Sequence, residues 1–270
     1  MRKPLLLNGF ENGVAAGGAV TINAGVNRRI HSEKIFYSES GSLSDPTTTG
    51  INRIEERVNG VLMTDLTAAQ AISIARLDGY VASTGEVPLF KSRPARASVI
   101  GEEATSWDMF GQNSHFIKLS IDGAATAPTI EVQQVSDNRR NLDGKTPFLS
   151  VMKLLPVDFN ANSGNNNLTT IPIDFPIHRI LLFAPNAINS VEVIADGELK
   201  YEASFAQNAR YLAEHGLDQA GSGIAFPIVF DADQQISSPL RVRDRLNVRI
   251  DSSATQTVTA IVEERLPAFR

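Results

Sequence analysis

The sequence predicts an all-β fold made twice over: two tandem domains of β-sandwich or jelly-roll type, each with one short helix. Three observations predict it. A strand–turn–strand–helix unit at Ile54–Tyr80 returns from Val191 at an offset of 137 residues, without gaps. Other blocks on either side of it return in the same order. Between them lie many short alternating segments broken by Gly, Pro, Asn and Ser, where an α/β layer fold would alternate helices with strands.

The duplicated unit carries its own punctuation. Asn59-Gly60 falls on Asp196-Gly197. Such dipeptides between alternating residues predict type I′ hairpins, whose two central positions both need φ > 0. Thr67-x-x-Gln70 falls on Ser204-x-x-Gln207. Both are capping boxes: the hydroxyl accepts from the N3 amide, and the Gln reaches back to the cap. Gly79 falls on Gly216, where a left-handed helix terminus takes glycine. Each copy therefore predicts two strands, a tight turn between them, and a helix of about three turns.

Taken in order, residues 4–24 read as strand, Gly-rich loop and strand, and residues 29–38 as a further strand. Residues 39–53 are a Ser/Thr/Gly/Pro surface loop. After the duplicated unit, Glu86–Phe90 and Ala97–Ile100 are short strands around the break at Pro94. His115–Ile121 alternates, Asp122–Pro128 turns, and Thr129–Val135 alternates again. Phe116, Ile117, Leu119 and Ile121 cannot all face one core from a regular strand, so the register there stays open. The pattern then restarts. Leu5, Phe10, Thr21 and Ile22 fall on Leu154, Phe159, Thr170 and Ile171 at offset 149, and Ile30-His31 on Ile177-His178 at 147. Leu119–Thr126 falls on Val248–Thr255 at 129. Falling offsets mean one order of elements with longer loops in the first half. The boundary lies near the polar segment Asp137–Lys145, giving domains 1–140 and 141–270.

Composition bounds the function. Two domains of about 130 residues are of ordinary size, and 42% hydrophobic residues supply a core. The formal net charge is −5, and Arg2-Lys3, Arg28-Arg29 and Arg139-Arg140 are only pairs. Direct nucleic-acid binding, which needs a positive footprint, is not expected. With no cysteine there is no disulfide, thiolate metal site or Cys nucleophile. The chain shows neither a signal-peptide pattern nor an apolar run of the roughly 20 residues a membrane helix needs.

No catalytic motif appears. Gly144-Lys145-Thr146 resembles the end of a phosphate loop, but Arg139 stands where the first glycine belongs and Pro147 follows. There is no H-E-x-x-H, G-x-S-x-G or dinucleotide fingerprint. His31, His115, His178 and His215 are scattered, with His31 and His178 at matching positions. No catalytic residue and no cofactor are assigned. The metal candidates are Asp158, Asn160 and Asn162, alternating oxygen donors before Gly164, as at the start of a calcium loop. The glycine comes one place late and the twelfth position is Thr169, where a bidentate Glu would serve. Asp231-Ala-Asp233 is a second carboxylate pair, more in keeping with a solvated loop. Trp107 and Phe110 offer either an exposed aromatic contact or core packing.

The order and spacing of these blocks resemble a known family. LNGFENGVAAGGAVTI, VEVIADGELKYEASFAQNARYLAEHG and RLNVRIDSSATQTVTAIVEERLP carry the likeness. The chain is similar to double jelly-roll major capsid proteins of tailless, membrane-containing icosahedral phages of the corticovirus type. The resemblance implies two tandem eight-stranded jelly-roll barrels and a homotrimeric capsomer with a pseudo-hexagonal outline. It further implies neighbouring capsomers, penton or spike and membrane-associated minor proteins as partners, and an internal lipid membrane beneath the shell. It places the chain in the virion capsid, assembled in the host cytoplasm, with calcium at subunit contacts in some members. A carbohydrate-binding or adhesin-like tandem β-sandwich is the alternative, but its aromatic platform is hard to build from 7% scattered aromatic residues. A bicupin enzyme would need a His/His/Glu/His ligand run, and none is present.

Overall fold

A computed structural model describes residues 3–6, 14–92, 106–138, 151–232 and 239–266. The chain divides into two compact units: Met1–Arg76, Tyr80–Met152 and Pro267–Arg270 form one, Leu77–Gly79 and Lys153–Leu266 the other. The expected boundary segment lies outside the described residues from 139 onward. So do Gly144-Lys145-Thr146, the expected strand Ala97–Ile100 and Asp233.

The first unit contains β1 (Lys3–Leu6), β2 (Ala19–Asn23), β3 (Arg29–Glu39), β4 (Ser42–Leu43), β5 (Ile51–Val58), β6 (Val61–Leu66), α1 (Ala68–Leu77), β7 (Glu86–Phe90), β8 (Trp107–Asp108), β9 (His115–Ile121) and β10 (Pro128–Asp137). The long strand β3 organises one sheet. It pairs with β10 along one edge and with β8, β7 and β4 in succession along the other, and β1 lies beyond β10. The second sheet runs β6-β5-β9-β2. All these pairings are antiparallel.

The second unit contains β11 (Val151–Ala161), β12 (Gly164–Leu168), β13 (Ile177–Phe183), β14 (Ile188–Ala195), β15 (Glu198–Ser204), α2 (Phe205–Glu214), α3 (Gln219–Ser222), β16 (Phe226–Val229), β17 (Leu246–Ser252) and β18 (Gln256–Leu266). Its sheets run β16-β13-β18-β11 and β12-β17-β14-β15. Each unit is thus a jelly roll, two antiparallel sheets with an alternating apolar face turned inward. The one-turn helix α3 is an addition to the single helix expected. Asp218 caps it through Gly221 N–H at 2.8 Å, and Gly223 ends it at φ +78°. Among the described residues no helix is long and apolar enough to cross a membrane.

The predicted punctuation is present atom by atom. Asn59 and Gly60 have φ of +49° and +82°, and Asp196 and Gly197 +52° and +84°, so both hairpins are left-handed at both central residues. Gln70 N–H donates to Thr67 Oγ1 at 3.2 Å, and Thr67 N–H to Gln70 Oε1 at 2.8 Å. The second capping box repeats these bonds at 3.4 and 2.8 Å through Ser204 and Gln207.

The duplication reaches further than the sequence blocks. In β5 the register slips at Glu56/Arg57 and in β14 at the matching Val193/Ile194. The β3–β10 ladder passes over His31, and the β13–β18 ladder passes over His178. Such bulges insert one residue and sharpen the local twist, and both copies place them alike. Pairing also corrects two alignments. Leu119 stands opposite Ile54, and Ile250 opposite Val191, so Leu119 matches Ile250, not Val248. Ile22 stands opposite Ile117, and Leu168 opposite Val248, so Ile22 matches Leu168, not Ile171. The shared AT and TI strings drew the sequence alignment to loop residues, whereas the ladder fixes the strands.

The open register of β9 resolves by alternation. His115, Ile117, Leu119 and Ile121 are buried, and Phe116 faces outward at 39% exposure.

Candidate functional site

The core of the second unit is apolar. Ile180, Val193, Leu240, Leu246 and Val262 pack together in it, with Phe230 against them. The first unit differs at those same six places. Glu33 lies two residues past the bulged His31, as Ile180 lies two past His178. Glu56 immediately precedes the β5 slip, as Val193 precedes that of β14. His115 stands opposite Val58, and Leu246 opposite Ala195, the residues before the two turns. Lys91 N–H donates to the His31 carbonyl, as Phe230 N–H does to that of His178. Gln134 stands opposite Glu33, as Val262 does opposite Ile180. Trp107 bridges Ile30, as Leu240 bridges Ile177.

These substitutions build a charged centre between the two sheets of the first jelly roll. The Lys91 ammonium contacts Glu56 Oε2, lies 3.3 Å from Glu33 Oε2 and stands 4.2 Å from the Trp107 ring centroid. His115 Nε2 lies 3.3 Å from Glu56 Oε1, and His115 Nδ1 lies 3.9 Å from Glu33 Oε1. Gln134 Nε2 donates to Glu33 Oε1 at 3.0 Å and to the Ala24 carbonyl at 2.8 Å. Glu33, Glu56 and His115 are wholly buried. Glu33 Oε2 and His115 Nδ1 have no hydrogen-bond partner. Burial, and then the Glu56 charge beside it, pushes the Glu33 carboxyl up to about 7, against Lys91 and His115. Burial also works against a charge on Glu56, but Lys91 and the His115 hydrogen bond hold it well below the usual carboxylate range.

Glu33, Glu56 and His115 form the one group of three metal-ligand side chains among the described residues, with ligand atoms within 4.8 Å of one another. Lys91 already supplies a cation to both carboxylates. The imidazole turns Nε2 toward Glu56 and Nδ1 toward Glu33.

The residues singled out in the sequence lie elsewhere. Asp158 and Asn160 alternate along the exposed end of β11, roughly 7 Å apart by strand geometry. Asp158 Oδ1 accepts from Thr259 Oγ1 at 2.5 Å, and Asn160 Oδ1 accepts from Thr257 Oγ1 at 3.0 Å. Asn162 sits past the strand, where its N–H donates to Asn166 Oδ1 at 2.8 Å. The three are therefore engaged separately. Trp107 is fully buried. His31 Nε2 lies 3.0 Å from Asp137 Oδ2, and Arg29 grips the same carboxylate. His178 Nδ1 lies 2.9 Å from Asp231 Oδ2, and His215 Nδ1 donates to the Tyr211 carbonyl at 2.8 Å. Sequence reasoning singled out neither Glu33, Glu56 nor Lys91. The signal was present: charged residues in the first copy stand where the second has Ile, Val and Phe. It becomes visible only once the ladders set the equivalence.

The fold is that of a double jelly roll, with this charged centre buried inside its first barrel. The chain belongs to the viral coat protein P2 family: the model of the N-terminal domain matches residues 4–136, and that of the C-terminal domain residues 151–265. It is accordingly a structural component of a virion and not an enzyme. Solved structures agree on the fold. The major capsid protein P2 from bacteriophage PM2 is similar over 100% of this chain and 99% of its own, with TM-score 0.85 and 20% identity. A chain in the atomic structure of Sulfolobus turreted icosahedral virus is similar over 98% of this chain and 91% of its own, with TM-score 0.67 and 14% identity. The Faustovirus major capsid protein gives a TM-score of 0.65 at 7% identity, over 100% and 90% of the two chains. Among curated proteins no sequence matches.

Proposed function

We propose that this coat protein assembles as a homotrimer, and that trimers pack side by side as pseudo-hexagonal capsomers tiling an icosahedral shell. The single observation that carries this reading is the depth of the duplication. The two jelly rolls repeat each other in turns, caps and bulges. Three chains would then supply six similar barrels, and a closed three-fold ring would acquire a six-sided outline. The domains are read as 1–140 and 141–270. The partners are further copies of the capsomer, with penton or spike and membrane-associated minor proteins. The acidic charge of −5 without a basic arm suits a shell kept from its genome by an internal membrane. Assembly takes place in the host cytoplasm.

Light scattering on a sizing column tests the trimer. Three chains of 29.2 kDa give about 88 kDa. A species of that mass that goes on to form sheets or shells supports the reading. A monomer that persists at high concentration removes the pseudo-hexagonal capsomer.

A further inference from the structure

The buried charged centre is not a requirement of the fold. The second jelly roll closes the same six positions with Ile180, Val193, Phe230, Leu240, Leu246 and Val262. Replacing buried ions by apolar groups of similar size is commonly neutral or stabilising, so a centre kept for stability alone has a simpler solution within the same chain.

Its charge count sets what it can hold. Glu33 from β3, Glu56 from β5, Lys91 after β7 and His115 from β9 are the charged or titratable groups that meet there. Gln134 from β10 and Trp107 from β8 complete the wall with neutral side chains. Two carboxylates against one ammonium leave one negative charge in excess, with the His115 ring beside them. A divalent metal would leave one positive charge in excess. A single proton leaves none. The geometry has room for that proton: Glu33 Oε2 and His115 Nδ1 are both buried without a hydrogen bond, with Lys91 Nζ 3.3 Å from that Glu33 oxygen.

We propose that the Glu33–Glu56–Lys91–His115 centre is a one-proton switch inside the first jelly roll. With the proton held, the centre is neutral and the two sheets close over it. When the proton leaves, an unbalanced charge stays in the dry core and the packing of β3 against β5 and β9 is weakened. The position of Glu33 agrees, since burial and Glu56 push its carboxyl up to about 7. A carboxyl raised from 4.5 to about 7 contributes stability that is complete below 4.5 and is lost as pH rises toward 7. The switch is therefore closed in mild acid and weakened in mild alkali, opposite to a solvated carboxylate pair.

The test is the melting temperature of the full-length protein from about pH 5 to about pH 8, for wild type and Glu33→Gln. The amide imitates the protonated carboxyl and cannot lose a proton. The variant should melt close to wild type at about pH 5 and gain on it by roughly 5–10 °C at about pH 8. Difference infrared spectroscopy gives a second readout: a protonated-carboxyl band in wild type at mildly acidic pH, gone in mild alkali and absent from the variant. If Glu33→Gln fails to fold, the wild-type band alone decides. Parallel melting curves with no such band overturn the proposal. So does a wild-type melting temperature raised by added zinc ion at about pH 8 and not raised in His115→Ala, which would make the centre a metal site.

Discussion

His31 and His178 fill the same β-bulge in the two jelly rolls, yet each meets an aspartate brought by a different strand. His31 lies 3.0 Å from Asp137, at the end of β10. His178 lies 2.9 Å from Asp231, just past β16. The backbone device is the same in both copies, and the partner of the buried imidazole differs. A buried polar ring needs a partner, but the bulge does not dictate which neighbouring strand supplies it.

The second pair is sensitive to acid. Burial lowers the pKa of His178, and the Asp231 carboxylate partly restores it. A histidine held below its ordinary 6.5 contributes stability that is complete above 6.5 and is lost as pH falls below it, because the unfolded chain takes up the proton first. Asp231→Asn removes the restoring charge. It should cost about 1–3 kcal/mol near neutral pH, and the deficit should widen toward about pH 5. Urea unfolding at both pH values measures this; an equal deficit at the two would show that the charge of Asp231 does not act on His178.

The two hairpin turns brace the segments that lead into β9 and β17 by the same means. Asn59 Oδ1 accepts from the N–H groups of Asn113 and Ser114 at 2.9 and 3.1 Å. Asp196 Oδ1 accepts from those of Asp244 and Arg245 at 2.9 and 3.2 Å, and Asp196 Oδ2 from Arg243 at 3.0 Å. The backbone donors of Asp244, Arg243 and Arg245 lower the pKa of Asp196. Its stabilisation is thus present above 3.8 and lost as pH falls through the lowered value. Since the first copy manages with an amide, Asp196→Asn should melt near wild type at neutral pH and lose less on acidification. Asp196→Ala should melt lower throughout. Thermal scans at neutral and strongly acidic pH separate the two, and an asparagine variant as damaged as the alanine one would deny the equivalence.

The glycine that completes each hairpin should prove equally costly to replace. Gly60 and Gly197 have φ of +82° and +84°, and a Cβ at either would meet nothing within 4 Å. The cost of Gly→Ala is therefore conformational and should be about 1–2 kcal/mol at each. Matched denaturation midpoints for the two variants are expected. A loss well beyond that range at one site alone would mean that its turn is packed as well as strained.

The turns and caps were legible in the sequence because their chemistry is local: Asn-Gly, Thr-x-x-Gln and a terminal glycine each act within a few residues. The strand order followed from repetition. Register was not legible, because identical strings such as AT can sit at different points of equivalent loops, and only the ladder decides between them. The charged centre was hidden for the same reason. Glu33, Glu56, Lys91 and His115 come from separate strands and segments, each in a stretch that also reads as an ordinary half-exposed strand. Phe116 shows the converse: hydrophobicity suggested an inward residue, but alternation with His115 and Ile117 turns it out.

The last prediction concerns how the parts of that centre depend on one another. Lys91→Met removes the one fixed cation and leaves Glu33 and Glu56 facing each other in a fully buried site. Breaking a buried ion pair from one side costs about 3–5 kcal/mol, so this variant should be among the least stable single changes in the chain. Glu33→Ile, Glu56→Val, Lys91→Phe and His115→Leu together install the side chains of the second jelly roll. With the charges gone, no uncompensated ion remains, and the combined variant should recover most of the loss in spite of carrying four changes. Groups in one network do not act additively, and this centre should show it strongly. Denaturation midpoints of the single and combined variants decide the matter. A combined variant less stable than Lys91→Met would mean that the first barrel has a cavity shape the second does not share, and that its charged centre is needed to fill it.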